Sequence, residues 1–195
     1  MEHEVNEPVS VYKNITAQEY LEAENEALEK HEFYQGEVFA MSGAPLKHNT
    51  IFSNVFGGLA TKLKGKKCMP FGSDLRIHIP KNTLYTYPDI SIICGKVELT
   101  DDKFDTATNP SVIIELLSSS TRSYDMGAKF NLYRDIDSLQ EYILIDTESI
   151  YVEKHIRNND NSWTLTEYRT LESSFSINTV ALSLPLKDIY EGLSF

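Results

Sequence analysis

Residues 87–129 read YPDISIICG (87–95), KVELTDDKFDTAT (96–108), NPSVIIELLSSST (109–121) and RSYDMGAK (122–129). Two apolar, β-branched runs, each bounded by Pro, Gly, Asn or Ser, have the form of short buried strands. Each carries one carboxylate: Asp89 opens Ile90–Cys94, and Glu115 interrupts Val112–Leu117. An ionised Glu inside a buried strand is costly unless it is paired or binds a cation. A single such acid is as often satisfied by an Arg or by backbone donors. Two acids at the mouths of neighbouring strands instead form an oxygen-rich site of the kind Mg²⁺ or Mn²⁺ takes.

The rest of the chain sets the frame. Its 195 residues suit one domain, expected over 15–195 behind a flexible arm at 1–14. No apolar run approaches the length of a membrane span, and the N-terminus MEHEVNEPVS has no secretory pattern. Cys68 and Cys94 lack metal-type spacing and fit free thiols in a cytoplasmic protein.

The formal net charge of −11 disfavours nucleic acid at first sight. The charge is uneven, however. Residues 38–88 hold Lys47, Lys62, Lys64, Lys66, Lys67, Arg76 and Lys81 against the single acid Asp74. The first six are candidate contacts to a phosphate backbone. The bland alternative is a solvated helix end.

In chain order, Thr16-Ala17-Gln18-Glu19 has the form of a capping box before a helix reaching about Leu28. His31–Ser42 alternates around Gln35-Gly36 as a hairpin, with Glu37 just past the turn. Ala44–Lys64 has Ile51, Phe52, Val55, Phe56, Leu59 and Leu63 at helical spacing, with His48 leaning toward the same side. Gly57-Gly58 inside it suggests close packing against another element. Asp74–Pro80 alternates as a strand, and Tyr85–Cys94 is expected to pair back on it. A helix over about Asp125–Asp135 carries Met126, Phe130, Tyr133 and Ile136 as its apolar stripe, bordered by Lys129. Gln140–Asp146 is a buried strand, and 149–157 with 162–169 is a hairpin. Short strands follow to residue 184, then a turn of helix. The fold class is α+β with an α/β core: a mixed sheet flanked by helices, with a β-rich C-terminal extension.

These residues carry a resemblance. Glu37–Ala44, His48-Asn49, Ser73–Arg76, Tyr87-Pro88-Asp89, Glu115–Ser118 with Ser120-Thr121, the Asp125…Lys129…Tyr133 helix and Glu141-Tyr142 resemble the Uma-two family of endonucleases. That family is grouped in the restriction-endonuclease-like PD-(D/E)XK superfamily. The resemblance spans roughly residues 15–190. It implies that Asp89 and Glu115 hold a divalent metal, commonly Mg²⁺, and that the substrate is DNA. The superfamily Lys, expected two residues after the second acid, is here Leu117, and the resemblance places Lys129 in its stead. Glu37 is the implied third acid, with His48 as its rival. A homodimer is expected, since duplex cleavage needs a cut on each strand. Exchange of Lys129 for Met is expected to spare the fold and remove catalysis. The alternatives are a non-catalytic, nuclease-like scaffold that binds nucleic acid or protein, and a two-carboxylate hydrolase of another kind, such as a glycosidase.

Overall fold

The computed structural model of the chain describes residues 10–100 and 105–195. Among the described residues, fourteen strands form two six-stranded sheets and a small ribbon. In chain order the elements are β1 (Ser10–Lys13), α1 (Ala17–Glu26), β2 (His31–Tyr34), β3 (Glu37–Ala40), α2 (Leu46–Leu63), β4 (Cys68–Gly72), β5 (Arg76–Ile79), β6 (Leu84–Thr86) and β7 (Ile90–Cys94). There follow β8 (Thr106–Ala107), β9 (Val112–Leu117), α3 (Arg122–Tyr124), a π-helical turn (Asp125–Lys129), α4 (Phe130–Tyr133), β10 (Glu141–Asp146), β11 (Val152–Arg157), β12 (Trp163–Tyr168), β13 (Ser174–Ile177), a 3₁₀ turn (Asn178–Val180), β14 (Leu182–Pro185) and α5 (Leu186–Ile189).

The central sheet runs β12-β11-β10-β9-β7-β4. Strands β9 and β10 are parallel, while the other neighbours are antiparallel. Alternation decides what each face meets. Ile90, Ile92, Val112, Ile114 and Leu116 pack with Ile51, Val55 and Leu59 of α2. On the opposite face, Ile93, Ile113, Leu117 and Tyr142 pack with Tyr133 and with Ile77, Ile79 and Leu84 of the second sheet. Glu115 shares its parity with Ile113 and Leu117, so it enters the apolar face that also receives the 122–133 helical segment. The second sheet, β1-β3-β2-β6-β5-β8, is covered by α1, whose Tyr20 and Leu21 cluster with Phe33, Val38 and Tyr85.

Local chemistry explains the element ends. Thr16 and Glu19 close the expected capping box at the start of α1. Gln35 and Gly36 both take positive φ, 48° and 85°, as a tight β2–β3 turn requires. Ile51, Val55, Leu59 and Leu63 are the buried stripe of α2, with Phe52 stacked on Phe56 beside them.

Several expectations are corrected. The arm at 1–14 is not loose over its last part: β1 pairs with β3, Tyr12 opposite Val38 and Lys13 opposite Glu37. Residues 1–9 lie outside the described residues. Tyr85–Cys94 does not return as one hairpin arm. Strand β6 pairs with β5, after which the chain crosses at Tyr87-Pro88-Asp89 and β7 joins the central sheet. Pro88 lacks an N–H and so suits a break between ladders. Cys68 and Cys94 are not free thiols. They face each other across β4 and β7 and form a disulfide. An added Cβ at Gly57 or Gly58 would meet nothing within 4 Å, so no close packing explains that pair. No helix among the described residues is long and apolar enough to cross a membrane.

Candidate active site

Asp89 and Glu115 lie side by side, because Ile90 pairs with Ile114 in the β7–β9 register. Each anchors the other's strand. The Asp89 N–H donates to Glu115 Oε2 at 3.1 Å, and the Leu116 N–H donates to Asp89 Oδ2 at 2.8 Å. The remaining Glu115 oxygen, Oε1, accepts from the Tyr133 hydroxyl at 2.7 Å and lies 3.1 Å from Lys129 Nζ. The remaining Asp89 oxygen, Oδ1, lies 3.2 Å from His48 Nε2 at the start of α2. The other ring nitrogen, His48 Nδ1, is buried and has no hydrogen-bond partner.

Lys129 is 5 % exposed. Besides Glu115 it meets Glu32 Oε1 at 2.9 Å and Asp125 Oδ1 at 3.7 Å. Glu32 also accepts from the Thr86 hydroxyl. The π turn places Asp125 and Lys129, four residues apart, on the same buried side. Burial pulls the Lys129 ammonium down, but Glu115 and Glu32, with Tyr133 and Asp125, outweigh it and hold its pKa well above the usual lysine value. Glu115 is pushed up from 4.5 to about 8 by burial, opposed by Lys129 and reinforced by Asp89 and Asp125. Asp125 is raised too, chiefly by burial. One ammonium thus serves a crowd of acids, and Glu115 keeps its proton past the usual carboxylate range.

Of the residues picked from sequence, Asp89, Glu115, Lys129 and His48 come together. Glu37 does not: it pairs with Lys13 at 3.2 Å on the outer edge of the second sheet. The acid brought to the site from the β2–β3 hairpin is Glu32. Glu32, Asp125 and Tyr133 join this cluster too, although the sequence reading assigned none of them to the site. Asp125 was within reach, as an acid four residues before a lysine.

The phosphate-contact candidates scatter. Arg76 is buried at 4 %, donating to Thr106 Oγ1 and the Tyr87 hydroxyl, so it is a structural residue, not a surface contact. Lys47, next to His48, pairs with Glu148 at 3.0 Å. Lys62 donates to the Ser183 carbonyl, while Lys64, Lys66 and Lys67 are exposed. They stand past the far end of α2, where the sixteen residue steps from His48 to Lys64 span about 24 Å. The same separation holds in the sheet, with Cys68 opposite Cys94 and Asp89 beyond the other end of β7.

A divalent cation fits this chemistry. Asp89 and Glu115 supply hard oxygens, and the acids outnumber the neighbouring cations. Among the described residues no group of three or more His, Cys, Asp and Glu is arranged to hold a metal ion. Asp89 and Glu115 would therefore hold it as a pair, leaving the other positions to water and substrate, as Mg²⁺ tolerates.

A family model described as "Putative restriction endonuclease", Uma2, matches residues 17–187. The chain belongs to the Uma2 family. Two Synechocystis sp. relatives are similar over most of their length. The uncharacterized protein slr1290 is 32% identical over 188 residues, 96% of this chain and 97% of its own. The uncharacterized protein sll1609 is 40% identical over 159 residues, 82% and 90% respectively. The crystal structure of a putative nuclease belonging to DUF820 from Anabaena variabilis superposes with a TM-score of 0.71 at 19% identity, covering 90% of this chain and 97% of that one. The architecture is thus the restriction-endonuclease-like α+β fold, in which this Uma2 member places Asp89 and Glu115 on adjoining strands of the central sheet.

Proposed function

We propose that the chain is a metal-dependent endonuclease that hydrolyses phosphodiester bonds of DNA. What supports this most is the meeting of Asp89, Glu115 and the buried Lys129 from three separate elements at one sheet end. When bound, Mg²⁺ or Mn²⁺ would lower the pKa of a water and offset charge on the phosphate. Asp89 and Glu115 would hold it. Lys129, kept protonated, is unsuited to take a proton from water. Its role is to stabilise the developing charge or to hydrogen-bond the reacting oxygens. His48, whose Nε2 lies 3.2 Å from Asp89 Oδ1, would orient that carboxylate, and the proton released as water adds to phosphorus and the P–O ester bond breaks would pass to solvent.

Lys129 beside Glu115 supplies the charge that Leu117 lacks, which weighs against the scaffold reading. Its place beside the pair also weighs against a glycosidase. Lys47 is the candidate phosphate contact nearest the carboxylates. Lys64, Lys66 and Lys67 would meet the backbone only of a duplex that runs the length of α2. A homodimer would form through the outer edge of β12, which among the described residues pairs with β11 alone.

Incubating supercoiled plasmid with Mg²⁺ or Mn²⁺ tests the proposal. Wild type should nick the plasmid and Asp89→Asn should not. Wild type that retains DNA without nicking it would support the scaffold instead. Sedimentation as a monomer at micromolar concentration would remove the dimer.

A further inference from the structure

The 122–133 helical segment delivers Lys129 to the carboxylates and then ends, less than two turns later, at a second concave feature. Lys81, Arg134, Arg157 and Trp163, with Asp135 and Asp137, line a cavity of about 380 Å³. That volume is within the range of small-ligand pockets. Lys81 is neutralised by Asp137, and Asp135 accepts from Asn82. The two arginines have no such relief. Neither makes an ion pair with a described carboxylate, although the chain has 29 acids against 18 basic residues.

Arg157 is held in place by the fold. Its Nη2 donates to the carbonyls of Arg134 and Ile136 at 2.6 and 3.0 Å, and its guanidinium lies 4.9 Å from the centre of the Trp163 ring. Trp163 is braced edge-on by Phe130. The Arg157 Nε atom is buried and has no partner. Burial lowers the Arg157 pKa and Arg134 lowers it further, against Asp137 and Asp135. A guanidinium pre-set by two carbonyls and an aromatic plane, beside a second guanidinium that makes no ion pair, is how proteins grip a phosphate.

We propose that this cavity is an anion site for a phosphate group, gripped by Arg134 and Arg157 and separate from the Asp89–Glu115 centre. The phosphate could belong to a nucleic-acid backbone or to a free mononucleotide, and the two sources are separable by experiment.

Trp163 is the only tryptophan of the chain, so its emission reports on the cavity directly. The full chain carrying Asp89→Asn, chosen to suppress cleavage, is titrated with inorganic phosphate, thymidine monophosphate or a short duplex, against NaCl of equal ionic strength. Calorimetry in parallel covers binding that leaves emission unchanged. Phosphate should give a saturable signal that NaCl does not. Arg134→Gln, an exposed position whose loss spares the fold, should weaken it about tenfold, the scale of one charge-assisted contact. Saturation by duplex at lower concentration than by the mononucleotide assigns the site to the backbone, and the reverse order assigns it to a free nucleotide. Absence of both signal and heat with all three probes overturns the proposal, as does unchanged affinity in Arg134→Gln. Because the Asp89→Asn background is used throughout, failure of the nuclease reading leaves this result standing.

Discussion

The Asp89 carboxylate accepts the main-chain N–H of Leu116 while the Glu115 carboxylate accepts the main-chain N–H of Asp89. The two acids are therefore part of the ladder between β7 and β9 as well as of the candidate chemistry. Asp89→Asn keeps an oxygen for Leu116. It should unfold near the wild-type temperature and lose cleavage by about two to four orders of magnitude. Asp89→Ala leaves that N–H without its partner and should cost about 1–3 kcal/mol as well. Paired thermal melts and plasmid assays separate the two effects. Equal melting of both variants would show that the cross-strand bond is idle.

The sequence led us to expect that Lys129→Met would fold as wild type. The structure reverses this. Lys129 is sealed among Glu32, Glu115 and Asp125, and removing it leaves buried acids unpaired. The expected cost is about 3–5 kcal/mol at neutral pH. Glu32→Gln in the same chain should return part of it. Denaturant titration of both single variants and the double variant gives the coupling, and additive effects would dissolve the Lys129–Glu32 pair as an energetic unit.

Glu115 yields a pH dependence. Its pKa stands at about 8 in the fold, chiefly through burial, against 4.5 for the free side chain. Between those values the folded chain keeps a proton that the unfolded chain has released. Stability then falls as pH rises through this window and levels off above it. Glu115→Gln carries no such proton and should flatten that part of the profile. Mg²⁺ should do the same from the alkaline side by favouring the carboxylate. Melting temperatures recorded between about pH 5 and 9 test it, and identical slopes for wild type and Glu115→Gln would refute the assignment.

Gly57 and Gly58 sit mid-helix in α2 with open space where a Cβ would be. Alanine at either should stabilise by about 0.5–1 kcal/mol, since nothing must move and the unfolded chain loses freedom. A drop in the denaturation midpoint would mean that something covers that face.

Reducing the Cys68–Cys94 disulfide frees a link between residues 26 apart. Loop-closure entropy for a loop of that size is about 3.5 kcal/mol. The bridge closes the end of β7 away from Asp89, so activity of the reduced, still folded protein should persist. Thiol titration with melting, before and after reductant, reads both. Loss of cleavage without loss of fold would tie the bridge to the site.

Much of this arrangement could be read from residue order alone, and what could not has a common cause. Asp89 and Glu115 stood out because a charge inside a β-branched run is conspicuous. Lys129 stood out because it borders an apolar stripe. His48 was visible by its phase in α2. Glu32 was hidden because an alternating hairpin offers two acids, Glu32 and Glu37, and only the pairing of β2 with β6 at Phe33 and Tyr85 decides which one turns inward. Arg76 read as surface charge because its partners, Thr106 and Tyr87, lie 30 and 11 residues away. The change of sheet at Pro88 was equally silent. Apolar runs state that strands exist but not which ladder they join.

The π turn at 125–129 holds one more residue than a regular helical path needs. Its consequence is one of phase. Either side of it, Tyr142 caps the Asp125 carbonyl and Tyr133 grips Glu115, so both flanks are fixed. Deleting exposed Ala128 removes the surplus residue and alters no group that touches the acids, so a regular helical path can join the two flanks without turning one against the other. Asp125 and Lys129 would then stand three residues apart instead of four, still on one side of the helix. The shortened turn should therefore keep its ammonium against Glu115. A shortened chain that folded with its lysine turned away would show that the surplus residue sets the aim.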